Sequence, residues 1–419
     1  MLLGVLTPGV EEDVKMESTK QPGLLAHARL ITGVGVAWLF DAMDVGMLSF
    51  VIAAVHEEWA LSPVQMGWIG SIGSIGMAIG AVLFGMLADR IGRKTVLIVT
   101  LLIFSIGSAL SALATGYAMF MVLRLLIGMG LGGELPVAST LVSESVGVAH
   151  RGRSVVLLES FWAAGWLAAA VISYFVIPTW GWRVAMVLTG LTAIYALYFR
   201  EGVKESPLFL ARQHQRKPRF WPTLMALWHG QYLRATLMLW IVWFMVVFSY
   251  YGMFLWLPSV MVLKGFSLIN SFGYVLVMTL AQLPGYFVSA WLIEKWGRKP
   301  VLATFLTGTA VAALGFGLAT SLPLLLTAGM LLSFFNLGAW GALYAYSPEQ
   351  YPSVIRSSGS GLAAGVGRVG GIVGPLLVGS LIAAKVSFGM IFGIFTAAVL
   401  IAVVAVLALG RETMGQPLD

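Results

Sequence analysis

The chain has no cysteine. That absence excludes disulfides, thiolate nucleophiles and cysteine-held metal sites. Charge is also scarce: only 10% of the 419 residues are Asp, Glu, Lys or Arg, where a soluble domain carries about a quarter. The 5 histidines are scattered without ligand spacing. No phosphate-binding loop of the GxxxxGK[ST] kind is present, and no Ser-His-Asp arrangement. The chain therefore offers no motif for ATP drive or for membrane-enzyme chemistry, and neither cofactor nor metal is expected. The opening stretch MLLGVLTPGVEEDVKMESTK lacks the basic region of a signal peptide. It reads as a tail, with Met16 an alternative start.

What is present is apolar. Hydrophobic residues make up 59% of the chain and the mean hydropathy is +0.91. The charges cluster between long apolar runs, the pattern of a polytopic membrane protein embedded in a lipid bilayer. Runs long enough to cross fall at residues 30–54, 65–88, 95–114, 117–143, 154–177, 182–199, 236–262, 270–293, 300–319, 322–347, 358–383 and 387–409. The fold class predicted is all-α, with twelve transmembrane helices in two six-helix pseudo-symmetric halves. The organisation follows: an N-terminal tail at 1–28, a first bundle at 29–200, a linker at 201–234, a second bundle at 235–410 and a tail at 411–419. With the N-terminus inside, 20 Lys and Arg fall on inside segments and 3 on outside loops, Arg183, Lys264 and Lys385. That asymmetry predicts cytoplasmic termini, and it accounts for the net charge of +7 without a nucleic-acid partner.

The halves repeat. GMLADRIGRKTVL (85–97) follows the second span and AWLIEKWGRKPVL (290–302) follows the eighth, each with an acid, a base and then G-R-K at matched spacing. SESVGVAHRGRS and SPEQYPSVIRSS, after the fourth and tenth spans, each place an arginine several residues beyond an acid. Matched loops on a six-plus-six chain are the pattern of a transporter whose halves rock about a central cavity. Asp89, Arg93, Glu144, Arg153, Glu294, Arg298, Glu349 and Arg356 stand at those span ends as candidate gating ion pairs. Plain positive-inside charge explains the arginines but not the matched acids.

Buried polar residues carry the chemistry. Asp41 and Asp44 lie three apart on one helix face, at a depth where a carboxylate is expensive and is a candidate to bind and release a proton. Arg124, near the start of its span, either snorkels to the interface or meets a buried acid; the glycines at 128, 130, 132 and 133 allow a neighbouring helix to come close. Glu134 is either a second protonation candidate or a structural hydrogen-bonding group. Arg368 lies in the glycine-rich AAGVGRVGGIVGP, in a half with no acid inside its spans. Its guanidinium is the predicted anchor for a substrate carboxylate. Trp340 and Tyr344 share a face at i and i+4, with Asn336 one turn back.

G-x-L-A-D-R-x-G-R-K resembles the signature of the major facilitator superfamily, and RLLIGMGLGGELPV (124–137) its fourth-helix pattern. Glu205-Ser206-Pro207 and Pro348-Glu349-x-Tyr351-Pro352-x-x-x-Arg356 resemble its sugar-porter, organic-ion and synaptic-vesicle-protein branches. WLFDAMDVGMLSF, GGELPVASTLVSES, LLESFW, VVFSYYGMFLWLPSV and FFNLGAWGALYAYSPEQYP are most similar to the bacterial niacin transporters of the last group. The resemblance spans nearly everything past residue 29. It implies the major facilitator fold, and a monomer in a bacterial inner membrane that imports nicotinate or a related aromatic acid together with protons. Transport of a benzoate-like acid, or export of a drug or metabolite, is the alternative. It also implies Asp44 opposite Arg124 as the proton site, with Asp41 turned to the substrate, and places Trp162, Tyr251, Trp340 and Tyr344 at ligand-cavity positions.

Overall fold

Inside a bilayer no water competes for backbone N–H and C=O groups, so each crossing closes its hydrogen bonds on itself and an apolar chain folds into helices. The computed structural model describes residues 24–145, 151–195, 225, 227–228, 230–352 and 355–414. The side chains at 24–31, 85–86, 88–90, 93, 133–145, 151–157, 231 and 357–358 lie outside that description. The described residues hold fourteen α-helices and no strand. The first half comprises α1 (Leu24–Trp59), α2 (Pro63–Ile91), α3 (Arg93–Ser111), α4 (Tyr117–Ser145), α5 (Arg151–Trp180) and α6 (Trp182–Gly190). The second comprises α7 (Leu233–Phe254), α8 (Leu257–Leu263), α9 (Leu268–Leu280), α10 (Gln282–Lys295), α11 (Arg298–Leu318), α12 (Leu322–Glu349), α13 (Arg356–Ala383) and α14 (Phe388–Leu409).

Among the described residues ten helical segments are long and apolar enough to cross a membrane, and shorter apolar helices at Tyr117–Gly132 and Trp182–Tyr195 take the fourth and sixth places. Together they fill the twelve expected positions. Two crossings differ from the unbroken runs expected from hydropathy. The seventh divides at Leu255–Trp256 into α7 and α8, and the eighth divides at Ala281 into α9 and α10. Pro258 and Pro284 explain the breaks. Each lacks the N–H that would close a bond to the preceding turn, yet is tolerated in the first turn of the helix that follows.

The repeated G-R-K motif has a backbone cause. Gly92 (φ 103°) and Gly297 (φ 96°) precede α3 and α11 in a region that side chains disfavour. Glycine also sets the α2/α4 seam. A Cβ on Gly128 would stand 2.2 Å from the carbonyl oxygen of Gly73, and one on Gly132 would stand 2.0 Å from that of Met77. The two backbones touch, which fixes α4, and Arg124 on it, against the first half's centre.

The halves meet tightly at the end remote from the chain termini. Ser71 Oγ donates to the carbonyl of Ile372 at 2.6 Å, and a Cβ on Gly379 would stand 2.4 Å from the Pro63 oxygen. Phe50 meets Phe272 edge to face at 5.1 Å. Residues 361, 365, 368, 372, 375 and 379 share one face of α13. Its remote part packs on α2, but Gly361 and Gly365 have nothing within 4 Å of a built Cβ. The seam is thus shut at one end and open beside α13 at the other.

At the terminal end the chain closes on the second half. Arg234 donates to the carbonyls of Ala408 and Leu409, Lys299 to those of Leu407 and Gly410, and Tyr346 to that of Arg411. Burial acts to raise the Glu412 carboxyl, but the backbone N–H groups of Met414, Arg298, Lys299 and Thr413 hold it below the usual carboxylate range.

Candidate functional site

Two polar centres occupy the middle of the bundle. In the first half, Asp44 on α1 and Arg124 on α4 are 1% and 2% exposed and form an ion pair, with Arg124 Nη2 at 3.0 Å from Oδ2 and 3.1 Å from Oδ1. Ser108 on α3 donates a further hydrogen bond to Asp44 Oδ1, and the guanidinium carbon lies 5.8 Å from the centre of the Phe120 ring. Three helices thus converge on one carboxylate. A buried pair of this kind recovers its desolvation cost only with good geometry and added hydrogen bonds; the Ser108 bond is one such addition, while Arg124 Nε has no partner among the described residues.

The second centre is on the other half. Arg368 on α13 is half-buried; its Nη1 donates to the Tyr251 hydroxyl at 3.2 Å and lies 3.3 Å from Met77 Sδ. Asp44, Arg124, Ser74, Met77, Tyr251 and Leu255 help line a cavity of ≈ 20 Å³. That is room for about one water. A single narrow space therefore separates the ion pair from the residue that Arg368 touches.

Aromatic rings surround the second centre. Trp340 and Tyr344 on α12 stack at 5.8 Å with an interplanar angle of 29°. Trp340 meets Tyr250 at 5.2 Å, and Tyr344 meets Trp243 edge on at 5.0 Å. Trp162 on α5 donates from Nε1 to the Tyr250 hydroxyl at 2.9 Å across the halves, and packs on Trp38 at 5.0 Å. On α10 and α12 buried polar atoms lack partners among the described residues: both side-chain heteroatoms of Gln282, Asn336 Oδ1 and Trp340 Nε1. Orphaned groups of this kind cost about 1–3 kcal/mol each and mark places where a ligand or water completes the set.

The structure thus brings Asp44 to Arg124, and gathers Arg368, Tyr251, Trp340, Tyr344 and Trp162 around one region. Asp41, one turn before Asp44 on α1, is buried. The side chains of Glu134 and, at the helix ends, of Asp89, Arg93, Glu144 and Arg153 lie outside the description. Of the other candidate gating residues, Arg298 pairs with Glu349 at 3.1 Å, a link between α11 and α12 within the second half. Arg356 donates to the carbonyls of Pro348 and Tyr351 at 3.1 and 3.2 Å; Glu294 is exposed.

Glu159 on α5 was missed by the sequence reading. It is 3% exposed, an acid inside an expected span, and the rule that singled out Asp41 and Asp44 applies to it equally. Tyr250 and Tyr286, both at most 2% exposed, are further members whose sequence signal was only an aromatic in a span.

The model of the Major Facilitator Superfamily matches residues 34–281 and 271–417. A Bacillus subtilis (strain 168) protein named "Putative niacin/nicotinamide transporter NiaP" is 63% identical, covering 94% of this chain and 98% of its own length. "Niacin transporter NiaP" of Acinetobacter baylyi is 47% identical over 94% and 96%. Among solved structures, the partially occluded inward-open xylose transporter XylE of E. coli matches with TM-score 0.77 at 17% identity, over 94% of this chain and 99% of that one.

Proposed function

The chain belongs to the Major Facilitator Superfamily, and from that premise we propose that it imports nicotinate with protons across a bacterial inner membrane, by alternating access, as a monomer with cytoplasmic termini. The observation that carries the substrate is Arg368 beside stacked rings, in a chain 63% identical to a protein named for niacin and nicotinamide transport. A guanidinium takes a carboxylate through two parallel hydrogen bonds. Trp340, Tyr344 and Trp162 offer aromatic faces to a planar ring. Asn336 has an unused acceptor on the same helix.

Asp44 is the proposed proton carrier. Protonation removes the negative end of its pair with Arg124, and a buried arginine left without its anion is strongly disfavoured. The first half then has reason to rearrange. The narrow cavity between that pair and Tyr251 lets occupancy at Arg368 be felt at Asp44. Asp41 and Glu134 are the competing carriers. The shut remote seam and the open flank of α13 support an inward-facing state, and the loop charges are proposed to hold the cytoplasmic ends together when the seam opens outward.

The test is transport by purified protein in liposomes under an inward proton gradient, with labelled nicotinate and with benzoate and nicotinamide as competitors. Uphill accumulation that collapses when protons equilibrate supports the reading. Accumulation of benzoate in preference to nicotinate moves the assignment to the broader aromatic-acid class, and uptake indifferent to the gradient removes proton coupling.

A further inference from the structure

We infer that Glu159 is the specificity residue of this site: its carboxyl hydrogen-bonds the ring nitrogen of the substrate while Arg368 holds the substrate carboxylate. The inference rests on the nicotinate reading above.

Placement comes first. Glu159, Trp162 and Trp166 stand at i, i+3 and i+7 on α5 and so share a face. That face meets the second half: Trp162 donates to Tyr250, and Trp166 packs edge to face with Tyr250 and Phe254, both at 6.2 Å. Glu159 is therefore one turn from Trp162 on the wall that confronts the aromatic cluster, and it is 3% exposed.

Its surroundings come next. Within electrostatic reach of it are Trp38 from α1, Tyr286 from α10 and Tyr344 from α12. Tyr344 is also within electrostatic reach of Arg368 on α13. Among the described side chains, none of these groups is a cation. Ionised, it would be a buried charge with only neutral donors, an expensive arrangement. In its acid form it offers one O–H donor.

A substrate with two poles fits this pair of walls. An acid on the first half and a guanidinium on the second both lie within electrostatic reach of Tyr344, which stacks on Trp340. Nicotinate carries a carboxylate and, meta to it on the ring, a nitrogen that accepts a hydrogen bond. One proton shared between a Glu159 oxygen and that nitrogen satisfies both. Benzoate has the same shape and carboxylate but a C–H at that position, which leaves the carboxyl unpaired. Sites built to hydrogen-bond a substrate group reject analogues that lack it more strongly than apolar sites reject a change of size.

The experiment measures competition of benzoate against labelled nicotinate for the full-length protein in detergent, in wild type and in Glu159→Met and Glu159→Asp, each checked for a monodisperse peak. The methionine keeps the approximate volume but has no donor, and the aspartate keeps the acid but withdraws it by one methylene. The expected result is a preference for nicotinate that narrows about tenfold in each variant, the size of one lost hydrogen bond, with benzoate affinity unchanged. A purely structural acid would weaken both ligands together, so equal losses overturn the inference, as does an unchanged preference in either variant that folds. If one variant does not fold, the other decides by the same ratio. Wild type that ignores nicotinate overturns the substrate reading itself, whereas wild type that prefers nicotinate while the variants keep that preference overturns only the role of Glu159.

Discussion

The two polar centres of this protein are built in opposite ways. Around Asp44 the charges are matched inside the chain: one carboxylate, one guanidinium and one hydroxyl, all buried. Around Arg368, among the described side chains, they are not. The cation has the Tyr251 hydroxyl and the Met77 thioether beside it, and on α10 and α12 Gln282, Asn336 and Trp340 keep polar atoms without partners among the described residues. A centre whose charges are matched, even with Arg124 Nε left without a partner among the described residues, changes only when a proton or a conformational change breaks it. A centre left incomplete gains by taking a ligand of opposite charge. The proposed function uses this difference, with one half sensing protons and the other holding the substrate.

The comparison is broken most severely at the closed centre. Asp44→Asn should abolish uphill nicotinate uptake in proteoliposomes while leaving counterflow exchange measurable; normal accumulation in that variant would move the proton to Asp41 or Glu134. Arg124→Leu, which strands the Asp44 charge, should lower stability by about 3–5 kcal/mol, read as thermal unfolding in detergent, and combining it with Asp44→Asn should recover part of that loss.

The open centre should respond in affinity rather than stability. Arg368→Ala removes a charge-assisted contact worth about 1.5–3 kcal/mol, so the KM for nicotinate should rise roughly 10- to 100-fold with little change in melting. An unchanged KM would take Arg368 out of the site. Trp340→Leu should raise KM by only about two- to tenfold, the value of an aromatic contact.

The smallest effect belongs to a region outside both centres. Glu412→Gln weakens the acceptor for the N–H groups that open α11 and should cost about 1 kcal/mol, as loss of a helix cap does. The Glu412 carboxyl is held low in the folded chain despite its burial. Its contribution is therefore present above its unfolded pKa and is lost as pH falls through the folded value. The melting gap between wild type and variant should be full at neutral pH and close on acidification.

Much of the fold was legible in the chain itself. Crossing positions follow from local hydropathy, and the matched G-R-K loops disclose the repeat that Gly92 and Gly297 realise with positive φ. The breaks at Leu255–Trp256 and Ala281 were not read, though Pro258 and Pro284 were visible; an apolar run hides the loss of a single N–H. Within the site, Asp44, Arg124 and Arg368 stood out because charge at membrane depth is rare. Glu159 had the same signal and was passed over, and Tyr250 and Tyr286 had none beyond being aromatic.

By itself the sequence determined the solvent this protein lives in, the number and order of its crossings, and the few polar residues committed to its interior. Those are properties of short windows of chain, set by transfer free energies that add residue by residue. Only the tertiary structure decided which polar residues complete one another. Asp44 and Arg124 are 80 positions apart and Trp162 and Tyr250 are 88 apart. Whether a buried group is satisfied or waiting depends on distances of about 3 Å, which no local pattern encodes. The stretch around Asp44 marks an acid in the membrane; packing of α3 and α4 against α1 makes it a closed centre and leaves Arg368 the open one.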